Sequence, residues 1–199
     1  MKVLLIGATG TIGRAVAAAL STEHEVLTAG INSGDFRVDL SNPDTIRQMF
    51  ADVGSVDAVI STAGQASFAG LADLGDDDYQ LAINNKLMGQ VNLLRLGRNA
   101  INPGGSITLT SGVLSRHPIP GSASIAMVNG ALESYARAAA LELDALRINV
   151  VAPSFVKETM EMMGMDSSSG ISAVDTAKAY LVALDGSMHG ETLDVSDYV

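Results

Sequence analysis

The sequence predicts an α/β fold: a doubly wound parallel sheet with helices on both faces. Three observations predict it. Short apolar runs of strand length alternate along the chain with longer segments of helical period. The runs are near-continuous hydrophobic stretches, as strands covered on both faces require. A glycine-rich turn joins the first run to the first helical segment. Strands are expected at Lys2–Ile6, Glu25–Ala29, Phe36–Val38, Val56–Ile60, Ser106–Thr110, Arg147–Val151 and Glu191–Val195. Helices are expected at Ile12–Leu20, Pro43–Asp52, Leu81–Asn99, Ser122–Leu143 and Ala173–Leu184. One connection breaks the rhythm. Only GINSGD lies between Ala29 and Phe36, whereas parallel neighbours joined by a helix need about a dozen residues. The crossover helix after the second strand is therefore expected to be missing.

With 199 residues and no linker, repeat or low-complexity stretch, residues 1–199 are expected to form one domain. Hydrophobic residues make up 47% and aromatic residues only 4%, so the interior must be built from Ala, Val, Leu, Ile and Met. The formal net charge of −10 excludes a nucleic-acid partner, which would call for clustered Lys and Arg. The acidic run Asp76-Asp77-Asp78 is expected to be a solvated loop or a helix start, where carboxylates complement the helix dipole, and no metal site is assigned. There is no cysteine, hence no disulfide or thiolate chemistry. The apolar run Val3–Ile6 stops at a glycine, far short of a membrane span or a signal peptide, so a soluble cytoplasmic protein is expected.

The stretch GATGTIG, Gly7–Gly13, follows a strand and opens a helix. Glycines there permit a tight turn and bring backbone N–H groups close to a pyrophosphate, which sits at the positive helix end. Gly7, Thr9, Gly10, Thr11, Ile12 and Gly13 are thus candidates for holding a dinucleotide. Folds of this Rossmann-like type place an acid after the second strand to bind the ribose 2′-hydroxyl of NAD, or a base to receive the extra phosphate of NADP. This chain has Gly30, Ile31, Asn32 and Ser33 there. No carboxylate would repel a 2′-phosphate, and Asn32 and Ser33 could donate to it, which favours NADP(H) over NAD(H). The plain alternative is that these residues only make the turn.

GATGTIG, the step Val38-Asp39-Leu40, STAG at Ser61–Gly64, Asn84-Asn85 opening a helix, ITLTSG at Ile107–Gly112, RINVVAPSFVKETM at Arg147–Met160 and GETLDV at Gly190–Val195 come in one order. In that order and spacing they resemble the short-chain dehydrogenases/reductases over essentially the whole chain. The resemblance implies an NAD(P)(H)-binding oxidoreductase. It places Asp39 near the adenine, Ala63 and Gly64 near the adenosine ribose, and Pro153, Phe155 and Val156 along the nicotinamide, with Leu40 and Thr62 also in the cofactor site. It also implies a homodimer or homotetramer, in keeping with the apolar breadth of the helices at Leu81–Asn99 and Ser122–Leu143.

The departures bear on the chemistry. The chain is short after the second strand and after Met160, where family members usually carry a substrate lid. Thr11 and Ser154 stand where glycine is common. In the family a strand-end serine orients the substrate carbonyl, a tyrosine about thirteen positions on transfers the proton, a lysine four further holds the nicotinamide ribose, and an asparagine on the preceding helix completes the set. Ser111 matches the serine and Asn85 the asparagine, whereas the count from Ser111 falls on Ser124 and Val128. No tyrosine in the chain has a lysine four residues on. Tyr135 shares the helix face of Ser124 but lies roughly 16 Å along the axis, out of reach.

Ser124 could hydrogen-bond a carbonyl, and His117, in the loop after Ser111, could pass a proton, although most loop histidines only face solvent. Met160, Met162, Met163 and Met165 are expected to be apolar fill or a flap. Two roles fit these residues. One is an oxidoreductase on a small carbonyl or alcohol, using Ser111, Asn85, Ser124 and His117. The other is a catalytically impaired nucleotide sensor or partner protein.

Overall fold

The structure, a computed structural model, describes residues 1–199. Seven strands form one sheet in the order β3-β2-β1-β4-β5-β6-β7, each neighbouring pair parallel. They are β1 (Lys2–Ile6), β2 (Glu25–Gly30), β3 (Phe36–Arg37), β4 (Val56–Ser61), β5 (Ile101–Thr110), β6 (Arg147–Ala152) and β7 (Thr192–Asp194). The helices are α1 (Thr11–Leu20), α2 (Pro43–Val53), α3 (Asp76–Leu81), α4 (Met88–Gly97), α5 (Ala123–Ala140), α6 (Lys157–Met162) and α7 (Ala173–Asp185). A π-helical turn, Ala82–Leu87, splices α3 to α4.

The period-two geometry of a strand sorts the core into two halves. In β1, Leu4 and Ile6 face one side with Val59, Ile107, Leu109 and Val150, and are covered by Ile46 and Phe50 of α2, Leu93 of α4 and Leu132 of α5. Val3 and Leu5 face the other side with Ile60 and Leu193, and are covered by Val16 and Leu20 of α1 and by Ala179, Tyr180 and Ala183 of α7. Each such aliphatic side chain contributes about 1.5–3 kcal/mol on full burial, which is how a chain this poor in aromatics holds two layers on its sheet. The order reverses between β1 and β4, opening a crevice beyond the strands' carboxyl ends.

No helix lies between β2 and β3, as the six-residue connection requires. β3 pairs only with the last residues of β2, Ala29 with Phe36 and Gly30 with Arg37, so the link folds back across a single strand spacing. Asp35 pins it: its Oδ2 accepts from Thr28 N at 2.9 Å and Thr28 Oγ1 at 2.8 Å.

The acidic run begins α3 rather than lying in a loop. Asp78 takes the Gly75 N–H at 2.9 Å and the Ser67 hydroxyl at 2.6 Å, and these bonds hold its carboxyl below the usual range, the Ser67 bond most. The helical stretch expected from Leu81 therefore starts at Asp76. The structure adds the short helix α6, and Val156 bridges to Ile171 so that the segment 157–170 closes at its base. Of the methionines there, Met160 is buried while Met162, Met163 and Met165 are exposed. No helix is long and apolar enough to cross a membrane.

Candidate functional site

Two cavities lie in the crevice and share Thr62 and Gly64 on their walls. The first, about 280 Å³, is lined by Gly7, Thr9, Gly10, Asn32, Ser33, Asp39, Leu40, Ala63 and Asn85, with Gly30 and Ile31 at the end of β2. The second, about 320 Å³, is lined by Ile12, Lys86, Ser111, Asn129, Pro153, Phe155, Val156 and Ile125 among others. Together they make one two-lobed cleft.

At the cleft's middle stands the start of α1. Gly10 caps the helix without a side-chain bond, and no acidic residue occupies its first turn. The N–H groups of Thr11, Ile12 and Gly13 find no acceptor within the chain, whereas Arg14 N already bonds Gly10 O at 2.9 Å. These orphan donors and the helix dipole make an anion seat. Gly7 has φ +89°, and a Cβ on Gly13 would lie 2.0 Å from Gly7 O, so glycine is required at both. Thr11 and Gly13 thus shape the turn without lining either lobe.

At the end of β5, Ser111 is buried and lines the second lobe, but its hydroxyl donates to Glu133 Oε1 at 2.9 Å. A carboxylate can only accept, so the Ser111 proton points away from the lobe. Ser115 donates to the same oxygen at 2.7 Å, and Arg116 sits 3.5 Å from Glu133 Oε2 while also pairing with Asp194. Glu133 is a site-shaping residue that the sequence pattern did not single out.

The helix partners differ from the sequence expectation. Asn85 does not join Ser111. It lines the first lobe, accepting from Gln65 N at 2.8 Å and donating to Ser41 Oγ at 3.0 Å. Its neighbour Lys86 faces the second lobe instead and donates to Ser111 O at 3.3 Å. Both lie in the π-helical turn Ala82–Leu87, and neighbouring residues of a helix point about 100° apart, so the two side chains face different lobes. Ser124 and Val128 are fully buried and line neither lobe; the cleft-facing positions of α5 are one residue on, at Ile125 and Asn129. A count along a loop cannot fix helix phase, because one more loop residue turns every later side chain by the same angle. His117 is exposed and lines neither lobe.

Two groups of the second lobe keep spare hydrogen-bonding capacity, partly buried Lys86 and buried Asn129. Desolvation lowers the Lys86 ammonium to about 8, and no carboxylate pairs with it. Asn129 donates through Nδ2 to Gly112 O at 3.3 Å, while its buried Oδ1 has no partner.

An orphan-amide helix start and a cleft across the topological switch point define a dinucleotide-binding α/β protein. Residues 7–184 match the family model described as Enoyl-(Acyl carrier protein) reductase, and the chain belongs to the short-chain dehydrogenase/reductase family, a family of oxidoreductases. The crystal structure of the protein lin1944 from Listeria innocua is 40% identical, with TM-score 0.94, over 98% of this chain and 99% of that one. A small-chain dehydrogenase solved in complex with NADPH is 28% identical, with TM-score 0.88, over 98% of this chain and 95% of that one. Hydroxynaphthalene reductase arp2 of Aspergillus fumigatus is 25% identical over 84% of this chain, which spans 66% of that enzyme's length, just under two thirds.

Proposed function

We propose that this protein is an NADP(H)-dependent reductase of a small carbonyl compound, or a dehydrogenase of the matching alcohol. The observation that supports this most is the joined pair of lobes with the free N–H groups of Thr11, Ile12 and Gly13 at their junction. That seat fits a diphosphate held by Gly7, Thr9, Gly10, Thr11, Ile12 and Gly13. Asp39 and Leu40 would flank the adenine, and Thr62, Ala63 and Gly64 the adenosine ribose. At the end of β2 the lining residues Gly30, Ile31, Asn32 and Ser33 include no acid to repel a 2′-phosphate. The NADPH carried by the 28% identical small-chain dehydrogenase is in keeping with this preference.

When bound, the cofactor supplies a hydride at its nicotinamide. Pro153, Phe155 and Val156 would wall that half of the lobe with apolar surface and exclude water. Ser111, its proton held by Glu133, would shape the lobe rather than donate to a carbonyl. The second lobe, about 320 Å³, would suit a small substrate.

The test is a fluorescence titration with NADPH and with NADH, repeated on Gly10→Asp. Saturable binding, tighter for NADPH, is expected. The variant should weaken it about tenfold or more, because its carboxylate would face the diphosphate and like charges in contact cost several kcal/mol. No binding of either nucleotide by the folded protein would overturn the proposal, and binding without reduction of any carbonyl would reassign the chain as a nucleotide sensor.

A further inference from the structure

The second lobe has a single ionisable group on its wall, Lys86. Its stem runs against Gly64, where a Cβ would sit 2.9 Å from Lys86 Cγ, and Gly64 lines both lobes. The stem therefore passes where the lobes meet, and the ammonium reaches Ser111 O within the second lobe. From the neighbouring helix α5, Asn129 reaches the same strand end: Lys86 Nζ hangs on Ser111 O and Asn129 Nδ2 on the next carbonyl, Gly112 O. Two helices thus deliver a cation with spare donors and a buried, unpartnered acceptor to one spot. We infer that Lys86 is the proton donor of this lobe, whose wall carries no tyrosine, with Asn129 Oδ1 accepting from a hydroxyl of the bound ligands. This rests on the reductase proposed above.

The step balances simply. A bound reduced nicotinamide would supply hydride to the carbonyl carbon, the C=O electron pair would move to oxygen, and that oxygen would take a proton from Lys86 Nζ. The N–H electrons stay on nitrogen, and the neutral amine is reprotonated from solvent. A donor titrating near the working pH is suited to this, and desolvation lowers Lys86 to about 8. Competing charges on the elements packed around it are engaged elsewhere or exposed. On α3, Asp78 is held by Ser67 and Gly75, and Asp76 and Asp77 are exposed. On α4, Arg95 bonds Asn92. On α5, Glu133 is held by Ser111, Ser115 and Arg116, Tyr135 lies beside Arg95 and Arg98, and Arg137 is exposed.

The protein has four lysines, Lys2, Lys86, Lys157 and Lys178, so ¹³C-dimethylation followed by NMR titration resolves them all. The signal absent from Lys86→Arg is expected to titrate well below the other three and to shift when NADPH is added. In parallel, pre-steady-state oxidation of NADPH by a panel of small aldehydes and diketones is followed against pH in the wild type, Lys86→Arg and Lys86→Met. The wild-type rate should fall as pH rises through about 8. Lys86→Arg should bind NADPH within about threefold of wild type yet lose about 10²- to 10⁴-fold in rate, with no such limb. Two results would overturn the assignment alone: Lys86 titrating with the other lysines, or either variant reducing the panel at the wild-type rate. A wild type that fails to bind NADPH, or binds it and reduces nothing, would instead strike the function proposed above, on which the assignment rests, so the two failures are distinct.

Discussion

Ser111 and Ser115 share one carboxylate oxygen of Glu133, a residue only 4% exposed, while Arg116 approaches the other oxygen from the rim. A glutamine there would keep one carbonyl but present an amide to groups that are themselves donors. Glu133→Gln is therefore expected to lower stability by about 1–3 kcal/mol, the cost of leaving buried polar groups unmatched, read as a drop in the urea midpoint at unchanged slope. A variant as stable as the wild type would mean that the serines repair the network through water. This residue, like Lys86 and Asn129, was not legible in the sequence, and the glycine turn was. Gly7 and Gly13 answer a local backbone demand that any chain making this turn must meet, a positive φ and a 2.0 Å approach. Which side chain of a helix faces a cleft depends instead on phase accumulated over the whole helix and the loop before it. One residue of drift exchanged Asn85 for Lys86 and Ser124 for Ile125.

At the level of elements the sequence was more informative, because the central strands carry apolar runs, Val3–Ile6 in β1 and Ala58–Ile60 in β4, and α2 and α7 begin at side-chain caps. Asn42 caps α2 through its side chain, accepting from Asp44 N at 3.0 Å, with Pro43 in the first turn. The missing helix between β2 and β3 was legible by length alone, since six residues cannot make a crossover. The π-helical turn was not, having no composition that sets it apart from an α-helix. What holds the short link is Asp35, whose carboxyl lies below its ordinary range because Thr28 N, foremost, and the Thr28 hydroxyl donate to it. The sign follows from that direction: a depressed carboxylate adds stability above its unfolded value, and this is lost as pH falls through the folded one. Asp35→Ala should speed amide hydrogen exchange at Thr28 and loosen the lip carrying Asn32 and Ser33, with little effect on α5. Unchanged protection at Thr28 would show that the strand pairing, not Asp35, fixes the lip.

Over the whole molecule two tendencies oppose each other. Met88 at the start of α4 and Met127 on α5 are 37% and 44% exposed, and Leu141 at the end of α5 is 87% exposed, apolar side chains that association between copies would cover. Against it stands the formal net charge of −10, so two copies meeting along any face double the charge within one envelope. Salt leaves apolar attraction nearly intact but shortens the reach of charge repulsion, from about 30 Å at 0.01 M to about 8 Å at 0.15 M. We therefore expect a homo-oligomer whose association strengthens with ionic strength. Sedimentation velocity at micromolar concentration should show the dimer fraction rising between about 0.01 and 0.15 M salt. Met127→Glu, which adds charge to the apolar face outside the cleft, should shift the distribution to monomer while leaving the circular dichroism unchanged. A wild type that sediments as a monomer at both salts would remove the assembly proposal, and oligomers that dissolve on adding salt would show that ion pairs rather than apolar contact hold the copies together.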